Sequence, residues 1–256
     1  MRNDDAMKVA LVTGGARRIG RAIVEALAEA GWAVAIHCNS ARDEAEALAE
    51  AIRGAGGRAA VVVADLADPQ AVRALVPAAA AALGPVTLLV NNASLFLPDG
   101  IGTLDPSVWR RQMAVNLDAP VFLADALATA LPAGETANVV NILDQRVLKT
   151  TPLFLSYQLS KSALFTATRV LAQALAPRVR VNGIGPGPTL ASVRQAPEDF
   201  ARQSAAVPLG RGPDLSEFGR TILYLVGTPS VTGQMIAIDG GQHLAWQTPD
   251  IVGIPE

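Results

Sequence analysis

Short apolar runs alternate with longer segments rich in Ala and Leu along almost the whole chain. Residues 9–12, 33–36, 60–63, 86–90, 138–142, 179–184 and 235–238 are runs of four to six largely apolar positions bounded by turn formers, the pattern of strands buried on both faces. Between them the spacing predicts helices over 19–30, closed by Gly31, and over 41–53, ended by Gly54 and the Gly56-Gly57 pair. A third begins near Pro69, a residue suited to a first helical turn, and others cover 106–130, 154–176 and 215–226. Strands alternating with helices imply an α/β fold with a parallel sheet covered on both faces. Such a sheet binds its ligand at the carboxyl ends of the strands, near the topological switch point. No linker, internal repeat or low-complexity block divides the chain, so residues 1–256 are expected to be one domain. Residues 186–213 contain Pro186, Pro188, Pro197, Pro208 and Pro213 and read as an irregular substrate flap. A loop of that length in a compact domain is an active-site lid or is disordered.

Composition narrows the chemistry. A chain of 256 residues builds an ample core without disulfides or metals. Lys and Arg number 21 against 23 Asp and Glu, so there is no basic excess to hold a nucleic acid. The single cysteine, Cys38, rules out an internal disulfide framework and fits a reducing compartment. With only His37 and His243 beside it, no metal site is expected. Asp4 and Asp5 stand where a signal peptide needs a basic region, and the longest mostly apolar stretch, 71–90, is broken by Arg73, Pro77, Gly84 and Pro85. The expectation is a cytoplasmic protein without a membrane partner, with a flexible tail over 1–6 and a C-terminal tail over 242–256. Phenol chemistry is limited to Tyr157 and Tyr224, and Tyr224 reads as helix packing near the last strand.

The first predicted strand runs into Thr13-Gly14-Gly15-Ala16-Arg17-Arg18-Ile19-Gly20. Glycines there allow a tight turn and bring a phosphate close to a helix N-terminus, whose N–H groups and dipole favour an anion. A Walker A loop is excluded because Arg21-Ala22 replaces the required Lys-Ser/Thr, and the G-x-G-x-x-G fingerprint is absent. Taken alone, the turn is equally an ordinary strand-to-helix connection. After the second strand, enzymes that prefer NAD often carry an acid for the ribose 2′-hydroxyl. Here Asn39 and Ser40 precede the first acid, Asp43, and Arg17, Arg18 and Arg42 are available for a 2′-phosphate. NADP, with NADPH as reductant, is therefore the expected cofactor.

Tyr157 and Lys161 lie four residues apart on a predicted helix and share a face. A free phenol has a pKa near 10, and a neighbouring ammonium lowers it, making Tyr157 a usable acid or base. Tyr-x-x-x-Lys is common by chance. It gains weight beside the glycine turn, Asn91-Asn92-Ala93-Ser94 after strand four, Asn116, and Gly185-Pro186-Gly187 after strand six.

With these motifs the chain resembles a short-chain dehydrogenase/reductase from Val9 to Gly241. The resemblance implies a single Rossmann-type doubly wound domain with seven parallel strands in the order 3-2-1-4-5-6-7, assembled as a homotetramer or homodimer. It implies Tyr157 as proton donor, Lys161 as holder of the nicotinamide ribose and Asn116 as support for a proton-relay water. Gly14, Arg17, Arg18, Ile19, Gly20, Asn39, Ser40, Asn91, Ala93 and Ser94 would line the cofactor site, Asp65 and Leu66 would flank the adenine, and Pro186 and Gly187 would sit near the nicotinamide.

Two departures from the family pattern point to a branch. Arg18 stands at the middle glycine of the usual turn, and Asp144, thirteen residues before Tyr157, replaces the usual serine. Both are similar to the pteridine reductases, including the bacterial dihydromonapterin reductases, as is Ser94 followed by Phe96. That resemblance implies a pterin-type C=N substrate contacted by Arg18, Ser94, Phe96, Asp144, Phe154 and Tyr157. Hydride addition to the carbon of an imine leaves the nitrogen in need of a proton, which a carboxyl relays better than a hydroxyl. A planar pterin also suits stacking on Phe96, and the Arg18 fork suits phosphate or pterin heteroatoms. The alternatives are a generic NADP-dependent carbonyl or 3-oxoacyl reductase, which Asp144 disfavours, and a cofactor-binding regulator without turnover, which Tyr157, Lys161 and Asn116 disfavour. For Asp144 and Phe96 the plain readings are a loop cap and ordinary packing.

Overall fold

Alternation along each strand separates two cores. In β1 (Val9–Val12), Leu11 faces one side of the sheet while Ala10 and Val12 face the other. The remaining strands are β2 (Ala33–Cys38), β3 (Ala59–Val63), β4 (Leu88–Asn91), β5 (Ala137–Ile142), β6 (Val179–Pro186) and β7 (Met235–Ile238). They form one parallel sheet in the order β3-β2-β1-β4-β5-β6-β7, in a computed structural model that describes residues 8–192, 194–248 and 250–253. The expected tail over 1–6 lies outside the described residues.

Helices α1 (Arg18–Glu29), α2 (Arg42–Gly54) and α8 (Leu215–Gly227) cover one face through Ile23, Leu27, Leu48, Phe218 and Ile222. α1 and α8 approach so closely that a Cβ on Gly219 would lie 2.3 Å from the Ala26 side chain. The other face receives α3 (Pro69–Leu83), α5 (Ala119–Ala130) and α6 (Leu155–Leu175), which contribute Leu75, Leu123, Leu127 and Ala172. Each fully buried Leu, Ile or Phe stabilises the fold by roughly 1.5–3 kcal/mol relative to exposure. Asp68 caps α3 through Gln70 N–H at 2.9 Å, and Pro69 takes the first helical position, as its fixed φ favours.

The structure refines several expected boundaries. β2 runs to Cys38, two residues beyond the apolar run 33–36, because buried His37 satisfies its ring nitrogens inside the protein. The predicted helix 106–130 is α4 (Pro106–Met113), a π-helical turn over Ala114–Asp118, and α5. Pro106–Ala130 is long and apolar enough to cross a membrane by composition, but Ala119, Leu123 and Leu127 belong to the core. The flap over 186–213 is not wholly irregular. Pro197, read as loop punctuation, starts α7 (Pro197–Ala205), where Glu198 and Asp199 complement the helix dipole. Tyr224 is 55% exposed on α8 rather than packed near the last strand.

The sheet order reverses between β1 and β4, opening a crevice above their carboxyl ends. The glycine turn enters that crevice, and at Gly20 a Cβ would lie 2.0 Å from the Gly14 carbonyl oxygen and 2.6 Å from Asn92 Nδ2. Gly20→Ala is therefore expected to destabilise the fold by about 1–3 kcal/mol, read as a lower midpoint of urea unfolding.

Candidate active site

The turn after β1 is held from below. Thr13 Oγ1 accepts from the N–H groups of Asn92 (2.9 Å) and Ala93 (3.0 Å), and Asn92 Nδ2 donates to the carbonyls of Thr13 and Gly14 at 2.8 and 3.1 Å. Gly14 N–H donates to His37 Nδ1 at 3.1 Å, so the His37 proton sits on Nε2, which donates to the Ala64 carbonyl at 3.1 Å. Burial pushes the His37 pKa down and keeps the ring neutral. The N-terminus of α1 has no side-chain cap and no acid in its first turn. Its N–H groups thus remain available to an anion.

Above this turn lies a cavity of about 460 Å³ lined by Gly14, Arg17, Arg18, Ile19, Gly20, Asn39, Ser40, Asp65, Leu66, Ala93 and Ser94. A second cavity, of about 330 Å³, contains Phe96, Asp144, Tyr157, Lys161, Pro186 and Gly187 and shares Arg18, Ile19, Asn92 and Ser94 with the first. Together they make a groove of a size suited to a dinucleotide beside a small substrate. Glycine backbone, uncapped helical N–H groups, the Arg17 and Arg18 cations, and the absence of a carboxylate between the end of β2 and Asp43 fit a phosphorylated cofactor. Arg17 pairs with Glu44, and Arg42 lies outside the cavity lining, 4.0 Å from Glu46. Arg18 adopts φ +54° and donates to the carbonyls of Leu190 and Ala191 at 3.3 and 2.9 Å, joining the turn to the flap.

The other side of the groove is supplied by β5 and α6. Asp144 follows β5 and accepts the Tyr157 hydroxyl hydrogen bond at 2.8 Å, while Lys161, one helical turn beyond Tyr157, donates from Nζ to the Ile142 carbonyl at 2.7 Å. The ammonium does not act on the phenol as the spacing suggested. Burial and the adjacent Asp144 carboxylate push the Tyr157 pKa well above the ordinary phenol value, because both penalise a phenolate. Burial lowers the Lys161 pKa to about 8, against a smaller opposing effect of Asp144. The pair is consequently set with Tyr157 protonated.

Three expected site residues stand outside the cavity linings. Asn91 is buried and donates to Asn141 Oδ1 at 2.8 Å. Asn116, in the π-helical turn, uses Oδ1 to accept from Leu95 N–H (2.8 Å) and Ser94 Oγ (3.1 Å), and Nδ2 to reach Leu95 O and Ser160 Oγ. Phe154 meets the site through Phe96, with ring centroids 4.2 Å apart, and Phe96 also makes an edge contact with Tyr157 at 4.6 Å.

A supporting network escaped the sequence reading. Phe154 precedes α6 at φ +56° and offers no side-chain cap. Asp99, from the loop after β4, takes that role: its carboxylate accepts from Ser156 N–H at 3.1 and 3.3 Å and from the Ser156 hydroxyl. Buried Gln112 bonds Ser156 Oγ from α4 and accepts Leu97 N–H at 3.0 Å. Asp99 therefore joins the loop bearing Phe96 to the helix bearing Tyr157. In sequence it stands in Pro98-Asp99-Gly100, where it looks like any turn aspartate.

The sheet order, the glycine turn and the Tyr157–Lys161 pair define a family, and residues 8–200 match the short chain dehydrogenase family model. The chain belongs to that family of oxidoreductases. Among solved structures, an alternative dihydrofolate reductase, FolM, from Brucella canis complexed with NADP is 60% identical, with a TM-score of 0.94 over 96% of this chain and 97% of that one. A blue fluorescent protein from a metagenomic library, in complex with NADPH, is 34% identical with a TM-score of 0.85, covering 92% of this chain and 97% of that one. Galactitol 2-dehydrogenase (L-tagatose-forming) from Cereibacter sphaeroides is 35% identical over 93% of this chain and 95% of its own.

Replacing the borrowed cap tests its role. Asp99→Ala is expected to lower stability by about 0.5–2 kcal/mol in chemical denaturation, whereas Asp99→Asn, which keeps an acceptor, loses a smaller amount.

Proposed function

We propose that the protein is an NADPH-dependent reductase of a pterin-type C=N bond. The observation that carries this reading is Asp144, in the position of the family's serine, hydrogen-bonded to the Tyr157 hydroxyl at 2.8 Å. Support comes from the 60% identity to a dihydrofolate-reducing relative bound to NADP. The Arg17 and Arg18 cations with Asn39 and Ser40 support a 2′-phosphate over a bare ribose. Asp65 and Leu66 would flank the adenine, Asn91, Ala93, Pro186 and Gly187 would frame the cofactor, and Lys161 would hold its ribose hydroxyls.

NADPH, when bound, supplies hydride to the substrate carbon. The chain supplies the proton. Tyr157 is held protonated by burial and Asp144, and it lines the cavity together with Phe96, whose ring meets its own edge-on. As the imine nitrogen gains electrons, it takes a proton from the Tyr157–Asp144 pair, so C=N becomes CH–NH with one hydride and one proton consumed. Nearby Asp144 also stabilises positive charge on the imine before transfer. Asn116 would support the water that returns the proton. Phe96 offers its aromatic surface to a flat heterocycle, a contact worth roughly 0.5–1.5 kcal/mol beyond burial.

Cytoplasmic residence and homo-oligomeric assembly belong to the same reading. Apolar side chains of Phe122 on α5 and of Leu159 and Val170 on α6 are 43–54% exposed, and Leu159 and Val170 share one helical face. Such a surface supports pairing with a second copy.

A panel of dihydropterins, simple ketones and acyl thioesters, followed by NADPH oxidation with NADH as control, tests the proposal. Dihydropterins with NADPH are expected to dominate, and Asp144→Ser is expected to reduce that rate by about 100-fold or more while affecting ketone reduction less. Strong ketone turnover with silent pterins would overturn the reading in favour of a generic carbonyl reductase. The pH profile supplies a second check. Lys161 is charged below its pKa of about 8 and neutral above it, so kcat/KM for NADPH is expected to hold near neutrality and fall as pH rises through about 8. The phenol, with its pKa raised, adds no loss in that range.

A further inference from the structure

The main chain on either side of Phe96 is gripped by two buried amides. Asn116 Oδ1 accepts from Leu95 N–H at 2.8 Å, and its Nδ2 donates to the Leu95 carbonyl at 2.9 Å. Gln112 treats Leu97 in the same way, accepting its N–H at 3.0 Å and donating to its carbonyl at 3.4 Å. Both amides are fully buried, one in α4 and the other in the π-helical turn that follows it. Leu95 and Leu97 are thereby fixed to the body of the protein. Phe96 bridges them.

The Phe96 carbonyl has one hydrogen-bond partner among the described residues, and that partner comes from the flap. Arg194 Nη2 donates to it at 2.7 Å. The same guanidinium stands 5.5 Å from the Phe96 centroid and 6.0 Å from that of Phe154. Because those centroids are 4.2 Å apart, Arg194 stands beside the stacked pair and not beyond either ring. Phe96 lines the substrate cavity, whereas Arg194 and Phe154 do not, so both act on the cavity through Phe96. Arg194 has no carboxylate partner among the described residues that would draw it elsewhere. A tight turn presents it: Ser192 accepts from Arg194 N–H at Oγ (3.2 Å) and from Gln195 N–H at its carbonyl (3.0 Å). Just before that turn, Arg18 holds the Leu190 and Ala191 carbonyls. The flap is therefore tied to the glycine turn at one point and to Phe96 at the next.

We propose that Arg194 is a positioning residue for the substrate: through the Phe96 carbonyl it sets the orientation in which the Phe96 ring meets a flat heterocycle. The proposal rests on the pterin reading and extends it, because selection for a planar ring then belongs to the flap as well as to Phe96. A charged donor makes the stronger kind of hydrogen bond to a carbonyl, and a flat guanidinium packs against aromatic edges as an ammonium does not.

Steady-state kinetics with a dihydropterin of neutral side chain tests this, since such a substrate feels no long-range pull from the Arg194 charge. Arg194→Ala is expected to raise the dihydropterin KM about five- to tenfold, with kcat and the KM for NADPH changed less than about twofold. Arg194→Lys, which keeps a donor, is expected to stay within about threefold of the native KM. In a Phe96→Leu background the ring to be oriented is gone, so Arg194→Ala is expected to add less than about twofold. Arg194 is exposed on the flap, so these variants leave the core intact. An equal rise in both backgrounds, no rise at all, a Lys variant as impaired as the Ala variant, or a parallel rise for NADPH overturns the Arg194 assignment while leaving pterin reduction intact. No turnover of the dihydropterin by the native protein overturns the pterin reading, and the Arg194 assignment with it.

Discussion

The hydrogen bond from Tyr157 to Asp144 is the contact around which the site is organised. The two residues reach it from different elements: Asp144 leaves β5 at its carboxyl end, and Tyr157 begins the third residue of α6. Their 2.8 Å separation depends on where β5 and α6 stand. β5 is fixed in register by β4 and β6 on either side, and its buried Asn141 bonds both Asn91 and Thr168 of α6. The start of α6 is fixed by the Asp99 carboxylate, which substitutes for the missing local cap. Strand register, a buried amide ladder and a borrowed cap therefore converge on one phenol.

That phenol and its neighbours also illustrate how burial sets protonation. Water would ordinarily stabilise a phenolate and an ammonium alike. Removing it raises the Tyr157 pKa and lowers that of Lys161, so the charged form of each becomes harder to maintain. Asp144 pushes in the same direction on Tyr157 and in the opposite direction on Lys161, as a negative neighbour must. The arrangement suits proton donation, the need of a reductase. A serine hydroxyl in place of Asp144 would bring no charge to hold the phenol protonated.

Much of the fold was legible because a parallel sheet with both faces covered writes itself as short apolar runs. The runs misled only where polarity had another cause: His37 ended the predicted second strand early, though its buried ring is satisfied by Gly14 and Ala64. Pro197 was misleading in the opposite sense, since a proline serves equally as a loop residue and as the first residue of α7. In the site, Tyr157, Lys161, Asp144 and Arg18 could be singled out by spacing and by departure from a family pattern. Asp99 could not, because it is an ordinary turn residue by sequence and its significance lies in a partner 57 residues away.

By itself, then, the order of apolar runs and turns determined one α/β domain and the residue types available for proton and phosphate chemistry. Local periodicity carries that information because it is set by neighbours three to four residues apart on a helix and two apart on a strand. The tertiary structure decided which groups share a cavity, which charge acts on which proton, and where the cavity continues. Those outcomes depend on distances between elements far apart in sequence and on the removal of water between them, neither of which is expressed in the order of residues along a single strand or helix. The direction of the Tyr157 shift is the plainest case: four-residue spacing put Lys161 beside it, but packing gave the hydroxyl to Asp144.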